Sequence, residues 1–176
     1  MVWCGACEPT LGDFGADPRL VRPAAELLGS ATMNQLINQA HYKMPGDGVE
    51  FEWHQDSTHR RYGHPGWTDV NGRGSYVQTA IAIDPMRETN GPLRFIPGSG
   101  RRGHVSDPEY RVAAERAVTL TMDPGDVVLF GPYVFHSSAP NRSNGPRRAL
   151  INGYAAPGAN RRDYPGRGSG RLLYAD

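Results

Sequence analysis

The sequence predicts a mainly β protein, a two-sheet sandwich or jelly roll preceded by one short N-terminal helix. Two observations carry that expectation. The periodic segments are short, and 22 glycines and 15 prolines punctuate the 176 residues. Many strands joined by tight turns produce this pattern, whereas a helix bundle does not. The length suits one domain, residues 1–176, with enough chain to bury a core.

Taken in order, the first fifteen residues show no periodicity and are expected to be poorly ordered. Asp17-Pro18 reads as an N-cap followed by proline at the first helical position. Leu20, Val21, Ala24, Leu27 and Leu28 then recur at helical spacing until Gly29, with Pro23 shortening or kinking the helix. A strand over 35–43 ends at the turn Pro45-Gly46-Asp47-Gly48, and a second covers 50–56. Residues 58–73, polar and aromatic, read as a long loop of the kind that forms lids and binding surfaces. Strands follow over 76–83, 93–96, 118–121, 127–130 and 148–154, separated by Asn90-Gly91, Pro97-Gly98-Ser99-Gly100 and Asp123-Pro124-Gly125-Asp126. The Gly- and Arg-rich stretch from Pro157 is expected to be loosely held.

Nineteen basic against 18 acidic residues give a net charge of +1, so composition makes no case for nucleic acid or an acidic membrane as partner. The apolar runs are too short to span a bilayer, and no secretory leader is expected, which points to the cytoplasm. Cys4 and Cys7 form a CxxC that could be a redox pair or half a zinc site. With no second cysteine pair, two reduced thiols are the simpler reading.

The chemistry begins at Trp53-His54-Gln55-Asp56. On a strand, His54 and Asp56 share a face and present an imidazole nitrogen beside a carboxylate oxygen. Such a pair also arises by chance as a buried histidine with an acidic neighbour. A third ligand, His136, would complete a facial triad with open positions, as non-haem iron(II) oxygenases require. Arg147 follows His136 by eleven residues, where its fork could hold a carboxylate about one co-substrate length from the metal. Ser138, on the face of His136, could add a second hydrogen bond.

The order of motifs resembles the phytanoyl-CoA dioxygenase (PhyH) family of 2-oxoglutarate oxygenases, which includes the ectoine hydroxylases. The likeness spans about residues 35–154: Lys43-Met44-Pro45-Gly46, Trp53-His54-Gln55-Asp56, Asn90-Gly91 through Pro97-Gly98-Ser99, Pro124-Gly125-Asp126, then His136, Ser138, Asn141 and Arg147. The resemblance implies a cupin-like double-stranded β-helix, with Fe(II) on His54, Asp56 and His136, and 2-oxoglutarate and O₂ as co-substrates. It implies capture of the distal carboxylate of 2-oxoglutarate by Arg147 and Ser138, with His41 and Gln39 also contacting that molecule. Halogenases of this kind have a small residue at the place of Asp56, so hydroxylation, or a related desaturation or cyclisation, is implied, with release of succinate and CO₂. Two departures stand out. Gly100 replaces a histidine, and fewer than forty residues precede the matched segment where the family carries a longer region. The second leaves open a minimal member, a homodimer that completes the site, or an exposed site.

A small organic substrate would be lined by Trp53, Tyr62, His64, Trp67, Tyr76, Gln78 and Tyr133, for each of which packing is the competing role. His59 and His104 are expected at the surface. Two other readings stay open: a cupin-like metal enzyme that does not use 2-oxoglutarate, and an inactive small-molecule binding module.

Overall fold

The structure is a computed structural model describing residues 3–59, 62, 63, 65, 67–105, 114–159 and 170–175. The described strands are β1 (Thr32–Lys43), β2 (Phe51–His54), β3 (Tyr76–Ala82), β4 (Leu93–Phe95), β5 (Val118–Thr119), β6 (Val127–Phe130), β7 (His136–Ser138), β8 (Arg147–Ala155) and β9 (Leu172–Tyr174). The helices are α1 (Pro9–Phe14), α2 (Pro18–Leu28) and the single turn α3 (Asp56–His59). One sheet runs β6-β3-β8-β1-β9 and the other β2-β7-β4-β5. The strand pairs are antiparallel, and the two sheets curl against each other as a double-stranded β-helix.

Strand alternation decides what each face carries. Along β8, Arg147, Ala149 and Ile151 face the second sheet, while Leu150 and Tyr154 face α2. On β3, Ala80 faces inward and Val77 and Ile81 pack under Leu20, Val21 and Ala24 of α2. Both faces of the large sheet are therefore covered, so all seven residues of β3 are buried. On β1 a register shift between Gln35 and Ile37 resets the alternation. The strand then turns Gln39 and His41 towards the second sheet.

Helix α2 forms as its sequence predicts. The Asp17 carboxylate accepts a hydrogen bond from the Arg19 amide at 2.8 Å. Gly29 closes the helix at φ 65°, a left-handed conformation that glycine adopts without strain. Leu27 is exposed, and Ala25 is buried in its stead.

Three expectations are corrected. Residues 3–15 are packed against the sheet: Trp3 and Cys4 are buried, and α1 precedes α2. This segment is held by polar groups rather than by an apolar stripe. The Asn38 side-chain oxygen accepts from the Gly5 amide at 2.6 Å and from the Cys4 thiol at 3.0 Å, and Tyr154 donates to the Gly15 carbonyl at 2.8 Å. Second, part of the C-terminal tail is strand, because Leu172–Tyr174 pair with the start of β1 and Leu173 enters the core. Third, the HxD segment is not one strand: β2 stops at His54 and Asp56 opens α3.

Candidate metal centre

His54 ends β2, His136 opens β7, and the two are directly paired across the strands. Opposed antiparallel residues bring their side chains together, and here the ring centroids are 4.2 Å apart. The Nδ1 of His54 lies 2.6 Å from the Glu52 carbonyl, and that of His136 lies 2.9 Å from the Val134 carbonyl. Only a protonated Nδ1 can bond a carbonyl oxygen, so in the neutral ring it is Nε2 that carries the lone pair. Burial first, then the neighbouring His136, holds the His54 imidazole below its usual range.

Asp56 arrives by a corner rather than along a strand. Gln55, 1% exposed, pins that corner. Its Nε2 donates to the carbonyls of Tyr133 (2.6 Å) and Gly103 (2.9 Å), and its Oε1 accepts from the Val105 amide (2.8 Å). One ligand-capable atom from each of His54, Asp56 and His136 lies within 4.8 Å of the others. Asp56 Oδ2 is buried without a hydrogen-bond partner among the described residues. An orphaned carboxylate oxygen beside two imidazole lone pairs is a donor set that suits a first-row divalent metal.

This cluster opens into a cavity of about 400 Å³ whose lining also includes Gln39, His41, Gln78, Ser138 and Arg147. Arg147 is 3% exposed, and its Nη2 donates to the Gly91 carbonyl (3.0 Å) and to Ser138 Oγ (3.1 Å), while its Nε has no hydrogen-bond partner among the described residues. Burial pushes its guanidinium down to about 10. A buried, incompletely bonded cation is an anion site in waiting. His41 Nε2 sits 3.0 Å from Gln39 Oε1, and burial, then Arg147, lowers its imidazole to about 4, so it is neutral near pH 7. Ser138 differs from expectation. Its hydroxyl already donates to the Gly91 carbonyl at 3.0 Å, so it could donate to a ligand only by giving up that bond.

Several expected substrate residues lie elsewhere. Trp53 projects from the opposite face of β2, where the Arg94 guanidinium sits 5.3 Å from its ring. Tyr62, Trp67 and Tyr133 pack on one another, and Tyr62 stacks on His104 at 4.0 Å. Tyr133 also donates to Asp69 at 2.9 Å. These aromatics anchor the loop after α3 because their rings satisfy each other. Tyr76 belongs to the inter-sheet core, and His64 lies outside the described residues. His59 is exposed but lines the cavity, its ring edge-on to His54 at 5.1 Å; His104 is half-buried against Ser57. The apolar walls Phe51, Leu93 and Phe130 have no sequence signal beyond hydrophobicity.

The fold and the site thus define a double-stranded β-helix with two histidines and one carboxylate converging at the mouth. Residues 6–149 match the phytanoyl-CoA dioxygenase (PhyH) family, and the chain belongs to it. It is similar to the ectoine dioxygenase of Bordetella bronchiseptica, at 32% identity over 175 residues, covering 84% of this chain and 54% of that one. A 2-aminoethylphosphonate dioxygenase from an uncultured bacterium is 31% identical over 148 residues, covering 80% and 53%. The chain therefore spans about half the length of these relatives. EctD from S. alaskensis in its apoform superposes with a TM-score of 0.77 at 25% identity, covering 100% of this chain and 66% of that one. EctD is also known with 2-oxoglutarate and 5-hydroxyectoine bound. Among the described residues, no helix is long and apolar enough to cross a membrane.

Proposed function

We propose that this chain is an Fe(II)- and 2-oxoglutarate-dependent dioxygenase that hydroxylates a small organic molecule. The observation that carries the reading is the orphaned Asp56 oxygen and the buried, partly unbonded Arg147 facing one cavity. His54, Asp56 and His136 would hold the metal, which supplies O₂ activation when bound. Arg147 would bind the distal carboxylate of 2-oxoglutarate through its fork, and neutral His41 with Gln39 would flank the same molecule. Phe130, its ring 4.8 Å from that of His136, would keep water from the reacting end, while Phe51 and Leu93 wall the end at Ser138 and Arg147. The cavity volume suits a co-substrate together with a small substrate. Both cysteines are free thiols, in keeping with a cytoplasmic setting.

Anaerobic titration of Fe(II) into metal-free protein with 2-oxoglutarate tests this without a known substrate. A visible charge-transfer band is expected, abolished in His54→Ala and weakened in Arg147→Ala. Folded protein that gives no band would refute the reading. A cupin-like enzyme without 2-oxoglutarate would show no dependence on Arg147.

A further inference from the structure

Lys43 ends β1 directly across the strand pair from Arg147, and it is 1% exposed. Its ammonium donates to Ser138 Oγ at 2.7 Å, to the Ser138 carbonyl at 2.9 Å and to the Ala139 carbonyl at 2.5 Å. All three acceptors are neutral. Ser138 Oγ also accepts from Arg147 Nη2 at 3.1 Å, so two buried cations bracket one hydroxyl oxygen. That arrangement explains why the Ser138 proton points to the Gly91 carbonyl: both lone pairs are already taken.

Like charges opposed across a strand pair destabilise a sheet, more so out of water. Of the three acids near this pair, Glu50 is exposed to solvent and the other two are committed elsewhere. Asp47 accepts from the amides of Met44 (2.7 Å) and Val49 (2.9 Å), and Asp84 is paired with Arg148 at 2.8 Å. Burial first, then Arg147, lowers the Lys43 ammonium to about 8. The Lys43 Nζ also lies 5.3 Å from the ring of Phe51, a cavity wall that stacks on His41 at 5.5 Å. Its charge is therefore held just behind the surface that a ligand at Arg147 would touch.

We propose that Lys43 is a positioning residue for the co-substrate: by fixing Ser138 and adding a second buried positive charge behind Arg147, it makes this end of the cavity select 2-oxo acids with a distal carboxylate over those without one. The inference rests on the dioxygenase reading. Lys43 does not touch the ligand; it holds the Ser138 oxygen against Arg147, which keeps the guanidinium edge turned to the cavity. The incoming carboxylate supplies the negative charge that the two cations lack.

The test measures binding, with no turnover. Calorimetric affinities for 2-oxoglutarate and for 2-oxopentanoate, equal in chain length but ending in methyl, are taken on Mn(II)-loaded protein without oxygen. Lys43→Met removes charge and hydrogen bonds; Lys43→Gln removes the charge and keeps a donor for Ser138. Each variant is expected to lose about tenfold in its preference for 2-oxoglutarate, with affinity for 2-oxopentanoate within about twofold of wild type. A merely structural lysine would weaken both acids together and leave the preference unchanged, and that result overturns the proposal. So does a Lys43→Gln protein with wild-type preference, which also decides the matter if Lys43→Met does not fold. Wild-type protein that binds neither acid would instead sink the dioxygenase reading.

Discussion

Replacing Gln55 with alanine probes how the HxD corner is built. The substitution removes three hydrogen bonds from a side chain that is 1% exposed. A net hydrogen bond contributes about 1 kcal/mol, and each buried partner left bare costs about 1–3 kcal/mol more. Water entering the space vacated by the side chain would offset part of this, so we expect a loss of about 3–5 kcal/mol. With a urea slope of about 2 kcal/mol/M, the unfolding midpoint falls by about 2 M. Gln55 also sets the angle between His54 and Asp56, so Mn(II) affinity should fall by at least about tenfold in protein that remains folded. Urea denaturation with and without Mn(II) reads both effects. A midpoint shift under about 0.5 M with unchanged metal affinity would refute the idea that this corner is pinned by its side chain.

Other perturbations have equally definite outcomes. Arg147→Lys replaces a fork by a point charge and should raise the Kd for 2-oxoglutarate about 30- to 100-fold while leaving Mn(II) affinity unchanged; a shift below about threefold would argue against a carboxylate at this residue. His41 is held at about 4 in the fold against 6.5 in the unfolded chain, so the unfolded state takes up a proton that the fold refuses. Stability should therefore fall as pH drops from about 6.5 towards 4, and His41→Gln should flatten that slope in urea midpoints measured across this window. Burial lowers His54 in the same direction, so the slope is reduced rather than abolished. A methyl group on Gly15 would lie 1.9 Å from Gln35 Nε2 and 2.9 Å from Asn152 Oδ1, both on buried side chains. Gly15→Ala should lower stability by about 1–3 kcal/mol, and an unchanged Tm would mean that the N-terminal segment is not packed as described.

Strands with a turn at each end were legible because alternation and turn chemistry are local. β6 falls on the predicted residues, and β3 and β4 each fall one residue short of the predicted end. The short strand β7 was not, since His136-Ser137-Ser138 has no apolar alternation and exists only through its pairing with β2 and β4. Residue identity was enough to nominate His54, Asp56, His136 and Arg147 for one site. It gave no role to Gln55 or Lys43, although both stand within quoted motifs, because their partners lie 48 or more residues away in the chain. Trp53 and Tyr62 were misjudged for a related reason. An aromatic near a ligand motif looks the same in sequence whether its ring faces the cavity or a neighbouring guanidinium.

The N-terminal segment carries the same lesson into energetics. Its hydrogen bonds include those to Asn38, which pairs with Asn152 across β1 and β8 and bonds its side chain at 2.8 Å on the sheet face opposite the cavity. Asn38 Nδ2 also donates to the Leu11 carbonyl at 2.9 Å, so one buried amide binds both the thiol-bearing turn and α1. The strands thus present two kinds of polar residue. Those facing inward, from His41 to Arg147, leave hydrogen-bonding capacity open for a ligand. Asn38, facing outward, spends its side-chain amide on Cys4, Gly5, Leu11 and Asn152. Loss of Asn38 should therefore loosen the N-terminus against proteolysis while sparing Mn(II) affinity, whereas loss of Arg147 should leave both the N-terminus and Mn(II) affinity as they are. If Asn38→Ala weakened metal binding as much as Gln55→Ala does, the two faces of the sheet could not be acting as separate binding surfaces.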